Sequence, residues 1–296
     1  MLDYFQELLG KAERRRDLEI QEHPLKYSKG TFPFYRFSST NILPEDNLVL
    51  IAAGIHGDER CGPHTLNEHF DEIWDHAQEQ GVKLIMYPVR NPSGYSVNQR
   101  FNIDEDRGDH GIGNNDSLRY LLLNGNLRDE LKREKKFLKW YWADDPRLEL
   151  RLTAEDTLLL KLAHKELWTQ IKGVLDLHQD HLTEYLRLGA YHYSPNPNTD
   201  AYLPILTKIS GIVPILTNTP IDGGFREEED PERNDLFYTD NRGFISRHDG
   251  SFDDLVYRLG VPHVVTVETS GEIPLPKADQ VNLEWIKGMI DLIAKK

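Results

Sequence analysis

The chain contains a single cysteine, Cys61, among its 296 residues. One cysteine forms no disulfide within the chain, and it cannot build a cluster of thiolates around a metal. Any transition metal would therefore be bound by histidine and carboxylate side chains.

Positive charge is scarce, with 35 lysines and arginines against 49 acidic residues and a formal net charge of −14. A surface of this kind repels phosphate backbones and anionic lipids, so neither nucleic acid nor a membrane is expected as a partner. No apolar run is long enough to cross a bilayer, and the charged N-terminal stretch lacks the apolar centre of a signal peptide. A cytoplasmic location is the resulting expectation.

Two glycine-rich signatures are also missing. Neither Gly-x-Gly-x-x-Gly nor Gly-x-x-x-x-Gly-Lys follows any predicted strand. This argues against a dinucleotide-dependent dehydrogenase and against a P-loop kinase.

The chain nevertheless has enough apolar residues, 39%, for a substantial core. Strand and helix signals alternate along it, which predicts an α/β fold, and we expect one catalytic domain over 1–296. Strands are predicted at 31–38, 47–54, 82–89, 173–177, 187–193 and 262–268, and helices at 1–18, 61–80, 127–141, 154–170, 200–210, 251–259 and 278–295. The polar stretch 90–126 is predicted to be a long ordered loop, and 223–242 a solvated one.

The pattern His-x-x-Glu, which suits a metal site, occurs four times. The pairs are His56/Glu59, His69/Glu72, His76/Glu79 and His181/Glu184. The second and third fall in a charged helical run, where exposure to solvent is the simpler explanation. The first pair directly follows the apolar strand 47–54.

Strand ends select a consistent set of side chains. Ligands of α/β sheets gather beyond the carboxyl ends of the strands. His56 and Glu59 follow one predicted strand, His178 ends a second and Glu268 ends a third. Each residue alone is more often structural, but their joint placement predicts a metal site with a nearby carboxylate.

Four segments resemble the zinc carboxypeptidase family, which includes carboxypeptidase A, murein peptide amidases and, more distantly, aspartoacylase and succinylglutamate desuccinylase. The segments are His56-Gly57-Asp58-Glu59, Asn91-Pro92-Ser93-Gly94-Tyr95, Asp176-Leu177-His178, and Gly250-Ser251-Phe252-Asp253-Asp254 followed by 264–268. The resemblance implies a three-layer α/β/α sandwich on a mixed sheet of about eight strands. It also implies one Zn²⁺ bound by His56, Glu59 and His178, with Glu268 as general base.

The same resemblance suggests how a substrate would be held. Arg100 matches the arginine that stabilises the oxyanion, and Arg119 lies where the family binds the substrate carboxylate. Leu118 replaces the family's asparagine there, which leaves that contact to Asn114, to Asn115 or to a different arginine, Arg107.

Other positions depart from the family pattern or leave choices open. Phe252 falls at the position that lines the side-chain pocket, and its apolar ring argues against basic leaving residues. The family's mobile tyrosine is missing, and His248 or Arg247 would take its place; Arg247 or Arg258 would favour an acidic leaving residue. Histidines His64 and His181 keep a second metal ion open as an alternative.

The leading hypothesis is a metallocarboxypeptidase or peptide amidase that hydrolyses small peptides. The alternative is a deacylase of N-acyl amino acids, and a third hypothesis is a metal or peptide binder without catalysis. The presence of Glu268 argues against the third, because a binder needs no general base. Oligomeric state is left undetermined by the sequence.

Overall fold

The computed structural model describes residues 2–104, 122–123, 126–127, 153–163, 168–180, 188–222, 236–246 and 252–294. The strands are β1 (Leu18–Tyr27), β2 (Gly30–Ser39), β3 (Leu48–Ala53), β4 (Lys83–Tyr87), β5 (Leu122–Leu123), β6 (Asn126–Leu127), β7 (Ile171–Asp180), β8 (Ala190–Ser194), β9 (Pro220–Asp222), β10 (Leu236–Tyr238), β11 (Phe244–Ser246) and β12 (His263–Ser270). The α-helices are α1 (Leu2–Ala12), α2 (Cys61–Glu68), α3 (Phe70–Glu79), α4 (Pro92–Val97), α5 (Ala154–Ala163), α6 (Leu203–Ser210), α7 (Phe252–Arg258) and α8 (Leu275–Ala294).

Eight of the strands form one mixed sheet in the order β1-β2-β4-β3-β7-β12-β8-β11. The four central strands β4, β3, β7 and β12 are parallel, whereas β12 pairs with β8 in the antiparallel sense. The carboxyl ends of β3, β7 and β12 therefore meet at one edge of the sheet. The predicted mixed sheet of about eight strands is confirmed.

Helices cover both faces of this sheet. On β3 the side chains alternate, so that Val49 and Ile51 belong to a core with α2, α3 and α8, and Leu50 to a second core with α5 and α7. Burial on both faces explains why the strand is almost entirely apolar. The result is the predicted α/β/α arrangement, while the single-domain organisation stays a prediction.

The hairpin β1-β2 corrects the expectation of a helix over 1–18. Helix α1 ends at Ala12, and β1 begins at Leu18 and pairs with β2 along its whole length, from Leu18 opposite Ser39 to Tyr27 opposite Gly30. The sequence of β1 is charged and contains Pro24, features of an edge strand whose stability comes from its partner.

Two further predictions need correction. The expected helix over 61–80 is divided at His69, which lies outside helical geometry with φ −103° and ψ 22° and caps α2. The expected solvated loop over 223–242 contains β10, which pairs with β9. The predicted helix 127–141 lies outside the described residues except for Leu127, which ends β6. Among the described helices, none is long and apolar enough to cross a membrane.

Candidate metal centre

The three strand ends bring the predicted residues together. His56 and Glu59 lie in the turn between β3 and α2, and His178 lies near the carboxyl end of β7. On the neighbouring strand β12, Glu268 is the direct register partner of His178. Residues separated by more than 200 positions therefore share one edge of the sheet.

Glu59 lies between the two histidines. Its Oε1 is 2.6 Å from Nδ1 of His56, and its Oε2 is 2.9 Å from Nδ1 of His178. The two imidazole rings are 5.1 Å apart, and all three residues are almost completely buried. The Nδ1 atoms of both rings thus face the same carboxylate.

This arrangement fits a divalent metal ion. One potential ligand atom from each of the three residues lies within 4.8 Å of the others. Two histidines and one glutamate are a common ligand set of catalytic zinc, which leaves a fourth position for water or substrate. The predicted ligands are therefore brought together, and their role in metal binding is taken up below.

The electrostatics of Glu59 agree with a cation site. Burial by itself raises the pKa of this carboxyl group, but the charges of His56 and His178 and their hydrogen bonds outweigh it and hold the pKa well below its usual range. The backbone N–H of Gln179 also donates to Glu59, at 3.2 Å. The side chain is thus held as a carboxylate that faces the two rings.

Close contact between two loops positions the turn that carries His56. A Cβ on Gly57 would lie 2.2 Å from the backbone carbon of Gly94 and 2.4 Å from the carbonyl oxygen of Gln99. Gly57 N–H donates to the carbonyl of Arg100 at 3.1 Å. Only glycine fits at this position, and the contact joins the ligand turn to the loop that bears Arg100.

Asn91 organises that second loop. Its side-chain oxygen accepts from the backbone N–H of Gly94 at 2.9 Å and caps α4, while its Nδ2 donates to the carbonyl of Arg100 at 3.2 Å. The helix ends at Val97 and is followed by its C-cap Asn98, in left-handed geometry with φ 55°. The Asn-Pro-Ser-Gly motif thus has a structural role, because it fixes the backbone of Arg100.

Arg100 reaches the metal site itself. Its Nη1 lies 2.9 Å from Oε1 of Glu59, and its side chain is 40% exposed. Its backbone is held by the contacts with Gly57 and Asn91, while its side chain is partly exposed. The predicted role in stabilising an oxyanion is compatible with this position and stays a prediction.

Glu268 lies beside His178. Its Oε1 is 3.9 Å from Nδ1 of His178, and its side chain is 12% exposed. It is thus near the atoms that would bind a metal. A general base needs this position beside the water that it activates.

A buried ion pair between Arg90 and Asp176 lies next to His178, and the sequence analysis did not predict it. Nη1 of Arg90 is 2.5 Å from Oδ2 of Asp176, and both side chains are 1% exposed. The same Asp176 oxygen is 3.6 Å from Nε2 of His178. Burial raises the pKa of Asp176, but Arg90 and His178 outweigh that effect and lower it to about 2.

Phe252 packs against this ion pair. The guanidinium carbon of Arg90 lies 4.9 Å from the centre of the Phe252 ring, and Phe252 is 2% exposed. The next residue, Asp253, accepts a hydrogen bond from the hydroxyl of Thr266. Burial, followed by the charge of Asp176, raises the pKa of Asp253 to about 7. Phe252 is therefore buried beside Arg90, and its predicted contact with substrate stays a prediction.

On the opposite face, the thiol of Cys61 supports the backbone of His178. Its Sγ donates to the carbonyl oxygen of His178 at 3.3 Å and lies 3.6 Å from the hydroxyl of Thr269. Asn282 of α8 donates to the same sulfur at 3.7 Å. Burial raises the pKa of this thiol to about 12, so it remains protonated.

A tyrosine that sequence reasoning missed lies beside Glu268. Tyr191 on β8 is the register partner of Glu268, and its hydroxyl donates to Asp180 at 2.7 Å. Burial, together with Tyr193, Glu268 and Asp180, raises the pKa of Tyr191 well above its usual value. Only the antiparallel pairing of β12 with β8 brings it there, and no local motif indicates that pairing.

Several predicted residues lie outside the described residues. They are Arg107, Asn114, Asn115, Arg119, His181, Arg247 and His248. Of the remaining candidates, Arg258 forms an ion pair with Asp254 at 2.9 Å, and Nδ1 of His64 lies 2.9 Å from Asp279. The contacts of His64 are thus with α8, and it does not belong to the metal-binding group that the described residues form.

Solved structures with this fold include a candidate metallopeptidase from Shewanella baltica, at 22% identity and TM-score 0.67, covering 99% of this chain and 92% of that one. A candidate metallopeptidase from Shewanella amazonensis also has 22% identity and TM-score 0.67, covering 99% and 93%. A metallo-carboxypeptidase from Burkholderia cenocepacia has 11% identity and TM-score 0.57, covering 97% and 67%. At these identities the likeness establishes the fold alone.

Sequence comparison is more specific about family. No curated protein matches the chain. The model of the succinylglutamate desuccinylase/aspartoacylase catalytic domain matches residues 45–236, a region that includes His56, Glu59 and His178. The match spans more than half of the chain, and it falls on the branch that the sequence motifs resembled more distantly. The chain therefore belongs to the succinylglutamate desuccinylase/aspartoacylase catalytic domain family.

Proposed function

We propose that the protein is a zinc-dependent hydrolase that cleaves the amide bond of an N-acyl amino acid. One observation carries this proposal. The buried carboxylate of Glu59 lies between Nδ1 of His56 and Nδ1 of His178, and Glu268 is the register partner of His178 on the next strand. The site thus combines a ligand set for zinc with an adjacent carboxylate.

Zinc bound by these three residues would act as a Lewis acid on the scissile carbonyl and would lower the pKa of a bound water to about 7. The protein's own contribution is to hold the ligands in fixed positions. Glu59 is oriented by the N–H of Gln179, and the backbone carbonyl of His178 by Cys61. Such pre-positioned ligands bind an ion without first being ordered.

Glu268 would serve as the general base and then as the general acid. It would accept a proton from the attacking water and deliver it to the nitrogen of the leaving amino acid. The hydroxyl of that water ends on the acyl carbon, so that the products are a carboxylic acid and a free amino acid. Its Oε1 lies 3.9 Å from Nδ1 of His178, next to the proposed metal ligands. A group in this role must be within hydrogen-bond reach of the water.

Arg100 would stabilise the negative charge that develops on the carbonyl oxygen. Its guanidinium already lies at the metal-binding group, 2.9 Å from Glu59, and its side chain is partly exposed. A fixed positive charge at the oxyanion is among the larger contributions to amide hydrolysis.

The family match favours an N-acyl amino acid as substrate, because the family is named for a desuccinylase and an aspartoacylase. A carboxypeptidase acting on small peptides is the second candidate. It is supported by Asn91-Pro92-Ser93-Gly94-Tyr95, which resembles the carboxypeptidase motif and which positions Arg100 in the structure. Both reactions use the same chemistry and differ in what lies on either side of the scissile bond.

The test is a substrate panel with purified, metal-loaded protein. N-acetyl and N-succinyl amino acids would be compared with dipeptides and longer peptides that bear free C-termini, and metal content would be measured alongside. We expect about one zinc per chain and higher kcat/KM on the acyl amino acids. Preference for peptides would move the assignment to the second candidate, and turnover of neither class with metal bound would contradict a hydrolase.

The variant His178→Ala connects activity to the site. Loss of one of three protein ligands should abolish both stoichiometric zinc and turnover. His69→Ala is a matched control, because this histidine lies at the junction of α2 and α3, is partly exposed, and has its Nδ1 2.8 Å from Glu72. If His178→Ala retained its zinc, the proposed centre would be wrong.

A further inference from the structure

The buried ion pair of Arg90 and Asp176 lies next to the candidate metal centre. Arg90 follows β4 and Asp176 lies within β7, and their side chains meet at 2.5 Å with 1% exposure each. Asp176 is two residues before His178 on the same strand, so both side chains emerge on the same face of the sheet. The charged pair is thus directly adjacent to a predicted metal ligand.

Stability alone is a poor explanation for this pair. Removing two charges from water is costly, and apolar residues of similar volume often stabilise a protein as well or better. Phe252, which packs against Arg90, belongs to an apolar cluster with Val174, Val264 and Leu255. A pair of charges retained in such surroundings indicates a role beyond packing.

The contacts of the pair indicate what that role is. Nδ1 of His178 faces Glu59 at 2.9 Å, whereas Nε2 faces Asp176 at 3.6 Å. A histidine that binds a metal through one ring nitrogen commonly donates its other N–H to a carboxylate, which fixes the tautomer and the ring orientation. Asp176 is placed to be that carboxylate.

Arg90 lies between Asp176 and Phe252. Its guanidinium contacts the carboxylate on one side and the Phe252 ring, 4.9 Å away, on the other. A planar guanidinium can stack on an aromatic ring and bind a carboxylate at the same time, which a lysine ammonium does less well. Successive contacts therefore connect α7 to the metal centre, through Phe252, Arg90, Asp176 and His178.

We propose that Arg90 is a positioning residue of the metal centre, which fixes Asp176 below the imidazole of His178 and thereby keeps Nδ1 directed at the ion. This inference rests on the proposed function in so far as His178 binds a metal. It predicts that affinity for the ion depends on a residue that does not touch it. It also explains why Phe252 is buried against Arg90.

The test measures metal affinity and geometry in Arg90→Lys. Lysine retains the charge and loses the planar contact with Phe252 and Asp176. We expect zinc to bind about 10- to 100-fold more weakly by competition with a chelator, as for other residues that orient ligands. The absorption spectrum of the Co²⁺-loaded protein should also change, because it reports ligand geometry.

Arg15→Lys is the matched control. Arg15 is also largely buried and paired with carboxylates, with Nη2 2.8 Å from Asp17 and Nη1 2.7 Å from Asp75 of α3, and it belongs to neither the ligand turn nor the strands of the metal centre. It should alter stability without the change in the Co²⁺ spectrum. Equal effects of the two substitutions would reduce Arg90 to a structural residue and overturn the proposal.

A second variant covers the case in which Arg90→Lys does not fold. Arg90→Met combined with Asp176→Asn removes both charges and so leaves no unpaired charge in the core. Zinc affinity within about twofold of the parent, in either variant, would contradict the inference. If the parent protein itself bound no zinc, the proposed function would fail first, which distinguishes the two failures.

Discussion

Glu268 and His178 are register partners on the adjacent parallel strands β12 and β7, and Oε1 of Glu268 lies 3.9 Å from Nδ1 of His178. Backbone hydrogen bonds between the two strands therefore set the separation of the proposed base from the metal ligand. A catalytic distance fixed by a sheet ladder changes little when loops move. Because the proposed base and the proposed ligand lie on different strands, each can be substituted without changing the other.

Glu268→Gln should lower kcat by two to four orders of magnitude, as expected for loss of a general base. The amide keeps the size of the side chain but accepts no proton from water at neutral pH. Zinc content should stay at the parent level, whereas Glu59→Gln should lose zinc. Metal analysis and steady-state kinetics on both variants check this, and zinc loss in Glu268→Gln would show that Glu268 is a ligand.

Asn91→Ala should impair both stability and catalysis. The substitution removes the cap of α4 and the hydrogen bond to the carbonyl of Arg100. Loss of such a cap typically costs about 0.5–2 kcal/mol in the free energy of unfolding. Because Arg100 is then less well placed, kcat/KM should fall while zinc affinity is retained. Denaturant unfolding and kinetics test the two parts separately, and unchanged kcat/KM would argue against a role for Arg100.

His192 should make the protein sensitive to acid. It is fully buried on β8 against Phe244 and Trp285, and burial lowers its pKa to about 3. Between that value and the unfolded pKa of about 6.5, the unfolded chain binds a proton that the folded chain does not, so stability falls as the pH decreases. The loss is about 1.4 kcal/mol per pH unit from this group.

His192→Phe keeps a ring in the cluster and removes the proton. The difference in unfolding free energy between the variant and the parent at pH 8 reports packing alone. Below about pH 6 the variant should lose stability less steeply than the parent, as followed by urea unfolding over a pH series. Parallel pH curves would show that His192 is protonated in the folded state.

Asp253 should act in the opposite sense. Its pKa of about 7 in the folded protein, raised by burial and by Asp176, exceeds the unfolded value of about 3.9. The folded chain therefore binds the extra proton between these values, and this stabilising contribution is complete below about pH 4 and is lost as the pH rises toward 7. Asp253→Asn should remove that dependence, so the variant gains on the parent between pH 4 and 8. Urea unfolding of both proteins over this range provides the measurement.

The sequence predicted the central strands and the residues at their ends. Strand β3 is a continuous apolar run followed by His56, and β7 and β12 contain shorter, largely apolar segments that end at His178 and Glu268. Segments of this kind are typical of central strands covered on both faces. That signal is local and strong. Together with the family resemblance, it predicted the set of residues at the candidate metal centre.

What the sequence did not predict depends on partners distant in the chain. Strand β1 is polar and contains Pro24, and only its pairing with β2 makes it a strand. Arg90 belongs to no motif that indicates its partner, although it directly follows a predicted apolar strand. Its meaning appears only when Asp176, 86 positions later, is placed beside it. Tyr191 likewise reaches Glu268 only through the pairing of β8 with β12.

The buried thiol of Cys61 has a practical consequence. It is the only cysteine of the chain and the first residue of α2, and its Sγ contacts the carbonyl of His178, Thr269 and Asn282. A thiol reagent can reach it only after α2 moves away from the sheet. The rate at which a thiol reagent labels Cys61 would therefore report how often the structure around His178 opens locally. A metal ion that binds the folded site should slow this labelling, and a tighter-binding ion should slow it more.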